Sequence, residues 1–253
     1  MSTDIVDFEM QNKCAIVRLN RPEVHNAIDD AVMTQLRDIL DRLKKSPEIL
    51  VVILTAAGKE SFSAGGDIKY FSTLKSREEA IAMSQRMQMI LHDFWRGDRV
   101  VIAAINGNAF GGGSEILTAC HFRIAAEQAK FSFRQAANGL TTGWGGGPRL
   151  LKLLGRTKAL YLLLTSDFID ANKAMEMGFV DQVVPANEIM DSAYALAEKI
   201  NRNSPSAVQA LLKLTREIEF GDWISALECE RELLADMWMG SDFKQCLDRF
   251  MNG

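Results

Sequence analysis

Cysteine is scarce in this chain and scattered. Four occur in 253 residues, at Cys14, Cys120, Cys229 and Cys246, with no Cys-x-x-Cys pair. That spacing offers neither a zinc ribbon nor a disulfide framework. It fits a reduced chain, expected to be cytoplasmic, in which a buried cysteine acts as a small hydrophobe. Histidine is scarcer still: His25, His92 and His121 stand far apart and no HExxH is present, so no metal centre is expected. His92 falls in a helical pattern and reads as a surface or half-buried side chain. No GxGxxG follows a strand and no GxxxxGK[ST] occurs, which counts against dinucleotide and P-loop nucleotide binding. The nucleophile elbow GxSxG is missing too; Gly112-Gly113-Ser114-Glu115-Ile116 fails at its last position. Neither sign of charge dominates. With 29 Lys and Arg against 33 Asp and Glu, the net charge of −4 suggests no broad nucleic-acid surface. The apolar stretch from Val100 to Cys120 is broken by Asn106, Asn108, a run of glycines and Glu115, which makes it a poor membrane span. The first ten residues carry Asp4, Asp7 and Glu9 and lack the basic start and apolar core of a signal peptide. There is no Pro/Ser linker, low-complexity tract or clear repeat.

What is present is periodic. Ala15 to Leu19 predicts a short strand. The β-branched-rich runs Ile49 to Thr55 and Val100 to Ile105 predict strands buried on both faces. Between the first two, Val32, Met33, Leu36, Ile39, Leu40 and Leu43 recur at helical spacing, and Pro47 closes the segment. Ser76 and Glu79 form a capping box ahead of Ile81, Met83, Met87, Met89, Ile90 and Phe94. Helix alternating with strand argues for an α/β layered domain. After about residue 150 the pattern predicts helices alone: Arg156 to Ser166, Ala171 to Met177, Asn187 to Ile200, Pro205 to Phe220, Trp223 to Met239 and a short terminal one. Gly178 and Pro185 supply stop signals. The expected division is an α/β core over 1–190 and a helical region over 191–253.

Two glycine-rich segments carry the chemistry. Ser63-Ala64-Gly65-Gly66-Asp67-Ile68 follows the first buried run, and Gly111-Gly112-Gly113-Ser114-Glu115 follows the second. Glycines after a strand let the backbone approach a ligand closely. Two such loops can aim two N–H groups at one oxygen and stabilise charge that develops there. Glu115 stands where it can handle a proton beside them. A carboxylate at that position also suits capping of a helix from Ile116 to Cys120, or its N-terminal dipole. Burial against Phe110 or Trp144 is expected to raise its pKa.

Five segments, in order, resemble the crotonase or enoyl-CoA hydratase/isomerase family. They are Leu19 to Ala27 (LNRPEVHNA), Phe62 to Lys69 (FSAGGDIK), Asn106 to Ile116 (NGNAFGGGSEI), Gly143 to Leu150 (GWGGGPRL) and Ala171 to Pro185. The resemblance implies an α/β fold, a spiral of repeated ββα units that ends in a helical trimerisation region. It implies a homotrimer or dimer of trimers acting on an acyl-CoA thioester, with no separate cofactor, since coenzyme A comes with the substrate. The N–H groups of Gly66 and Gly112 would hold the thioester oxygen. Backbone near Ala27 and near Ala64, Asp67 and Ile68 would meet the CoA nucleotide. Lys69, and more loosely Lys244, would meet its phosphates.

The departures bear on the reaction. In the family's hydratases a second glutamate lies some twenty residues beyond the first; here Gln135 stands in its place within Phe131 to Gly139. An amide exchanges no proton near neutral pH, and hydration is served by a matched pair of carboxylates. Trp144 and the run Ala226 to Leu234 resemble members that decarboxylate substituted malonyl-CoA thioesters, the ethylmalonyl-CoA decarboxylases among them. Expectation therefore places a decarboxylating lyase first, with Glu115, Gly66, Gly112 and Gln135 as catalytic residues and Trp144 lining the substrate site. An enoyl-CoA isomerase or hydratase of fatty-acid metabolism is the alternative, and a non-catalytic acyl-CoA scaffold the third. Arg134 or Gln135 would meet a substrate carboxylate, although Arg134 reads equally as an exposed strand residue. His121 reads as structural.

Overall fold

The computed structural model describes residues 4–11 and 13–252. Residues 1–3, part of the stretch examined above for a leader, lie outside the described residues. Among the described residues no helix is long and apolar enough to cross a membrane. The chain divides into two units, Met1–Ala197 and Glu198–Gly253. That division falls inside α7 (Ile189–Asn201), as does the expected one after residue 190.

The first unit repeats one pattern. A strand enters a large sheet, a second strand enters a small sheet, and a helix follows. β3 (Val51–Ala56), β4 (Ser61–Ser63) and α3 (Arg77–Arg96) form one such unit. β5 (Val100–Ile105), β6 (Asn108–Phe110) and α4 (Gly112–Leu117) form the next. β7 (Phe122–Ala126), β8 (Lys130–Ser132) and α5 (Gly146–Thr165) form the third. The units are preceded by the hairpin of β1 (Val6–Gln11) and β2 (Cys14–Leu19) and by α1 (Asp30–Lys44). β9 (Ile169–Asp170), α6 (Ala171–Met177) and β10 (Gln182–Val184) complete the architecture.

The large sheet runs β1-β2-β3-β5-β7-β10, and the small one β4-β6-β8-β9. β1 and β9 pair antiparallel to their neighbours; the remaining pairs are parallel. β3 and β5 are buried along their whole length, which is why their sequences are continuous apolar runs rather than alternating ones. α1 buries the six apolar residues expected of it, and Asp29 caps it by accepting the Val32 N–H. The Ser76/Glu79 capping box forms at the start of α3. α5 departs from expectation. It begins at Gly146, ten residues early, and is broken at Gly155, whose φ of 72° and ψ of 167° are not helical. Such a left-handed φ favours glycine, and the sequence on either side remains helical in pattern.

The small sheet positions the site. Its strands are short, but Phe62, Ala109 and Phe131 are wholly or almost wholly buried in the core. The three loops that leave β4, β6 and β8 carry Gly65-Gly66, Gly111-Gly112 and Gln135. Because β4, β6 and β8 are parallel neighbours, all three loops emerge at the same edge. Ligands in parallel α/β sheets gather at such carboxyl edges.

The second unit is helical, built from α8 (Pro205–Phe220), α9 (Trp223–Met239) and α10 (Ser241–Asn252). Ser204 caps α8 and Asp222 caps α9.

Candidate active site

The two glycine loops touch through their backbones. A Cβ on Gly65 would lie 2.6 Å from the Gly112 nitrogen, and Gly65 has φ +93°. Both facts require glycine. A Cβ on Gly112 would lie 2.2–2.7 Å from the Trp144 ring, so this position too has no room for a side chain. Ser63 Oγ steadies the first loop, accepting the Gly65 N–H at 3.1 Å and donating to the Asn26 carbonyl at 2.8 Å. The Gly111 N–H donates to the Ser132 carbonyl at 2.8 Å. The N–H groups of Gly66 and Gly112 have no hydrogen-bond partner among the described residues.

Glu115 lies in α4 and is 2% exposed. Its carboxylate does not cap that helix. It turns instead to the loop before α5. Oε2 accepts the N–H of Trp144 and of Gly146, each at 2.9 Å. Oε1 accepts the Gln135 Nε2 at 2.8 Å and, more weakly, the Gly143 N–H at 3.3 Å. Burial raises the carboxyl's pKa, and these four bonds only partly oppose it. Burial beside Trp144 is thus the cause that favours the expected direction.

The loop over Glu115 is itself held from below and from the side. Arg149 is buried; its Nη2 donates to the Trp144 carbonyl at 2.8 Å, and its Nε to Thr118 Oγ1 at 3.0 Å. Burial lowers its pKa to about 10, while the Glu115 charge opposes the shift. Ser84 Oγ and Gln88 Nε2 of α3 both donate to the Gly143 carbonyl, at 2.5 and 2.9 Å. Arg149 lies in the Gly143 to Leu150 segment, which assigns it no role, and no motif marks Ser84 or Gln88; each acts through a backbone carbonyl that sequence does not display.

Gln135, standing where the resemblance implies a second glutamate, bonds to Glu115 directly. Its Oε1 is buried and has no hydrogen-bond partner among the described residues. The carboxylate fixes the amide's orientation, because only the NH2 end can donate to it. Arg134 points elsewhere: it donates to the Ser166 carbonyl at 3.3 Å and lies over the Phe168 ring at 5.1 Å. His121 accepts the Val101 N–H at Nδ1, 3.0 Å, a structural contact, and His92 is exposed.

The residues expected near CoA separate into two sets. Ala64, Ile68 and Lys69 are exposed. Asp67 is buried, caps α2 (Ile68–Phe71) and pairs with Arg21 at 3.2 Å. Burial pushes its pKa up, but N–H groups of Tyr70 and Lys69 and the Arg21 guanidinium outweigh this and hold it low. Ala27 is buried, and its carbonyl accepts from Arg21 Nη1 at 2.7 Å. Asn26, buried and left-handed with φ 53°, ties this segment to the Ala57 and Ser61 carbonyls. Lys244 is exposed on α10 in the second unit.

The enoyl-CoA hydratase/isomerase family model matches residues 9–252. The chain belongs to this family. The crotonase-family chain is similar to a short-chain-enoyl-CoA hydratase of Clostridium acetobutylicum, 33% identical over 99% of this chain and 96% of that one. It is also similar to an ethylmalonyl-CoA decarboxylase of Bos taurus, 30% identical over 93% of this chain and 78% of the other. Its fold matches the crystal structure of an enoyl-CoA hydratase from Bacillus anthracis with a TM-score of 0.93, at 30% identity and covering 98% and 96% of the two chains. The hydratase is matched at higher identity and over more of both chains than the decarboxylase, so the comparison supports the enoyl-CoA hydratase or isomerase alternative better than decarboxylation. The expectation that placed the decarboxylase first is not favoured by these relatives.

Proposed function

We propose that this chain adds water reversibly to an enoyl-CoA thioester, using Glu115 as its single acid–base group. The observation that carries the proposal is the Glu115–Gln135 pair, in which the amide donates to Glu115 Oε1 and leaves its own buried Oε1 unpartnered. A buried acceptor without a donor costs about 1–3 kcal/mol. An O–H bound beside Glu115 satisfies it. Gln135 then holds the water, and proton transfer falls to Glu115 alone.

One carboxylate completes the balance. Ionised Glu115 takes a proton at Oε1, the oxygen with the weaker N–H contact, as the water oxygen bonds to Cβ. The π electrons move onto the thioester oxygen, where the N–H groups of Gly66 and Gly112 are the donors. The Glu115 acid returns the proton to Cα, and the carboxylate is restored. The same group can move a proton from one carbon to another, which is isomerisation. A single donor also suffices to quench the enolate left when a malonyl-type thioester loses CO₂, which is the decarboxylase reading. Lys69, exposed beside the Asp67 cap, is assigned to the CoA phosphates in the same proposal.

Crotonyl-CoA hydration tests it. The purified chain should consume the enoyl absorbance, and Glu115→Gln should lower kcat by about 10²–10⁴-fold while acyl-CoA still binds. CO₂ release from ethylmalonyl-CoA without hydration of crotonyl-CoA would overturn the proposal in favour of decarboxylation. Acyl-CoA binding with neither reaction would leave a scaffold.

A further inference from the structure

We infer that Trp144 sets the size of the acyl group, restricting the site to short chains. This rests on the reading of the site as an acyl-CoA site, and the substrate class it names is the short-chain acyl-CoA thioesters. A reacting thioester must reach both the Gly112 N–H and Glu115 Oε1. Trp144 borders that space on two counts. Its backbone N–H is bonded to Glu115 Oε2 at 2.9 Å, and its six-membered ring packs directly on Gly112, 2.2–2.7 Å from where a Cβ would begin.

The ring continues to α3, where its Nε1 donates to Met83 Sδ at 3.4 Å. It is 3% exposed. It therefore spans from the donor glycine to the neighbouring helix as a filled wall. The wall is fixed at its base. Arg149 holds the Trp144 carbonyl, and Ser84 and Gln88 hold that of Gly143. The other donor glycine is covered in the same manner: a Cβ on Gly66 would lie 2.0–2.8 Å from the Phe71 ring. An aromatic ring thus covers the Cα of each donor glycine. An acyl group that extends past the donor glycine toward α3 has to move the buried indole, and a short one does not.

The test is a ratio. Dissociation constants for butyryl-CoA and octanoyl-CoA are measured by calorimetry on the full chain, alongside hydration rates with crotonyl-CoA and 2-octenoyl-CoA. Wild type should favour butyryl-CoA. Trp144→Ala should shift the ratio toward octanoyl-CoA by about tenfold or more, since each newly buried methylene is worth roughly a factor of four. Trp144→Phe should shift it less, and Met83→Ala opens the same wall from α3 should the Ala variant fail to fold. A merely structural role moves both ligands equally, so an unchanged ratio in folded variants overturns the inference. Loss of hydration in wild type with the binding ratio still shifting sinks the hydratase proposal alone. Failure of wild type to bind either thioester sinks both.

Discussion

Glu115 is buried yet accepts four hydrogen bonds, and the two facts pull its proton in opposite directions. Desolvation wins, so the folded protein binds that proton more tightly than the unfolded chain does. The sign follows. Protonation of Glu115 favours folding, so its contribution is full below the unfolded carboxyl pKa and is lost as pH rises through the raised folded value. Glu115→Gln keeps the shape without titrating. Its stability relative to wild type should therefore grow as pH rises above the ordinary glutamate range, measured by urea unfolding across a pH series. A constant difference contradicts the burial argument. The acid limb of kcat/KM should likewise lie above the ordinary glutamate range, because the base must be ionised to accept water's proton. The sequence singles out Gly66, Gly112, Glu115 and Trp144 through the segments they sit in and Gln135 through its departure from the family pattern, and the structure brings Gly112, Glu115, Gln135 and Trp144 together. What was not legible was the carboxylate's direction. Position suggested a cap for the helix that follows, whereas the N–H groups of Trp144 and Gly146, about thirty residues on, claim it.

Among the elements, α3 contributes most to the site without touching the reacting atoms. Ser84 and Gln88 hold the Gly143 carbonyl, and the Gly143-Trp144 backbone holds Glu115. Removing both donors leaves the loop free to drift from the carboxylate. The double variant Ser84→Ala/Gln88→Ala should lower kcat by roughly thirtyfold, in line with about 1 kcal/mol for each of the two lost bonds, with KM changed little. Ser84→Thr should restore part of the loss. An equal fall in thermal stability with kcat unchanged removes α3 from this positioning role. The helix itself was legible from its capping box and its apolar spacing, because both are local in sequence. Its partners were not, since the contacts to Gly143 join residues 55–59 positions apart. β4, β6 and β8 were missed for another reason. Three residues each give too short a run for period-two alternation to show, although these strands aim the three site loops.

Across the molecule, the two units differ in how much apolar surface they leave uncovered. In the second, Trp223, Trp238, Phe250 and Met251 are 71%, 59%, 83% and 83% exposed. Large aromatic side chains left in water mark a contact surface, and a short helical unit has little core of its own to hide them in. Hydrophobic patterning made these helices legible, but it could not say which apolar face packs within the chain and which packs elsewhere. Closed symmetric assembly is the ordinary solution for such a surface, and the family resemblance implies threefold symmetry. Sedimentation equilibrium should therefore return a multiple of three times the 28.1 kDa chain mass. Replacing Trp238 and Phe250 together by Glu puts two charges where apolar contact is required, and should shift the mass toward that of one chain. A wild-type protein that sediments as a single chain at micromolar concentration excludes this assembly and returns the exposed helices to some other partner.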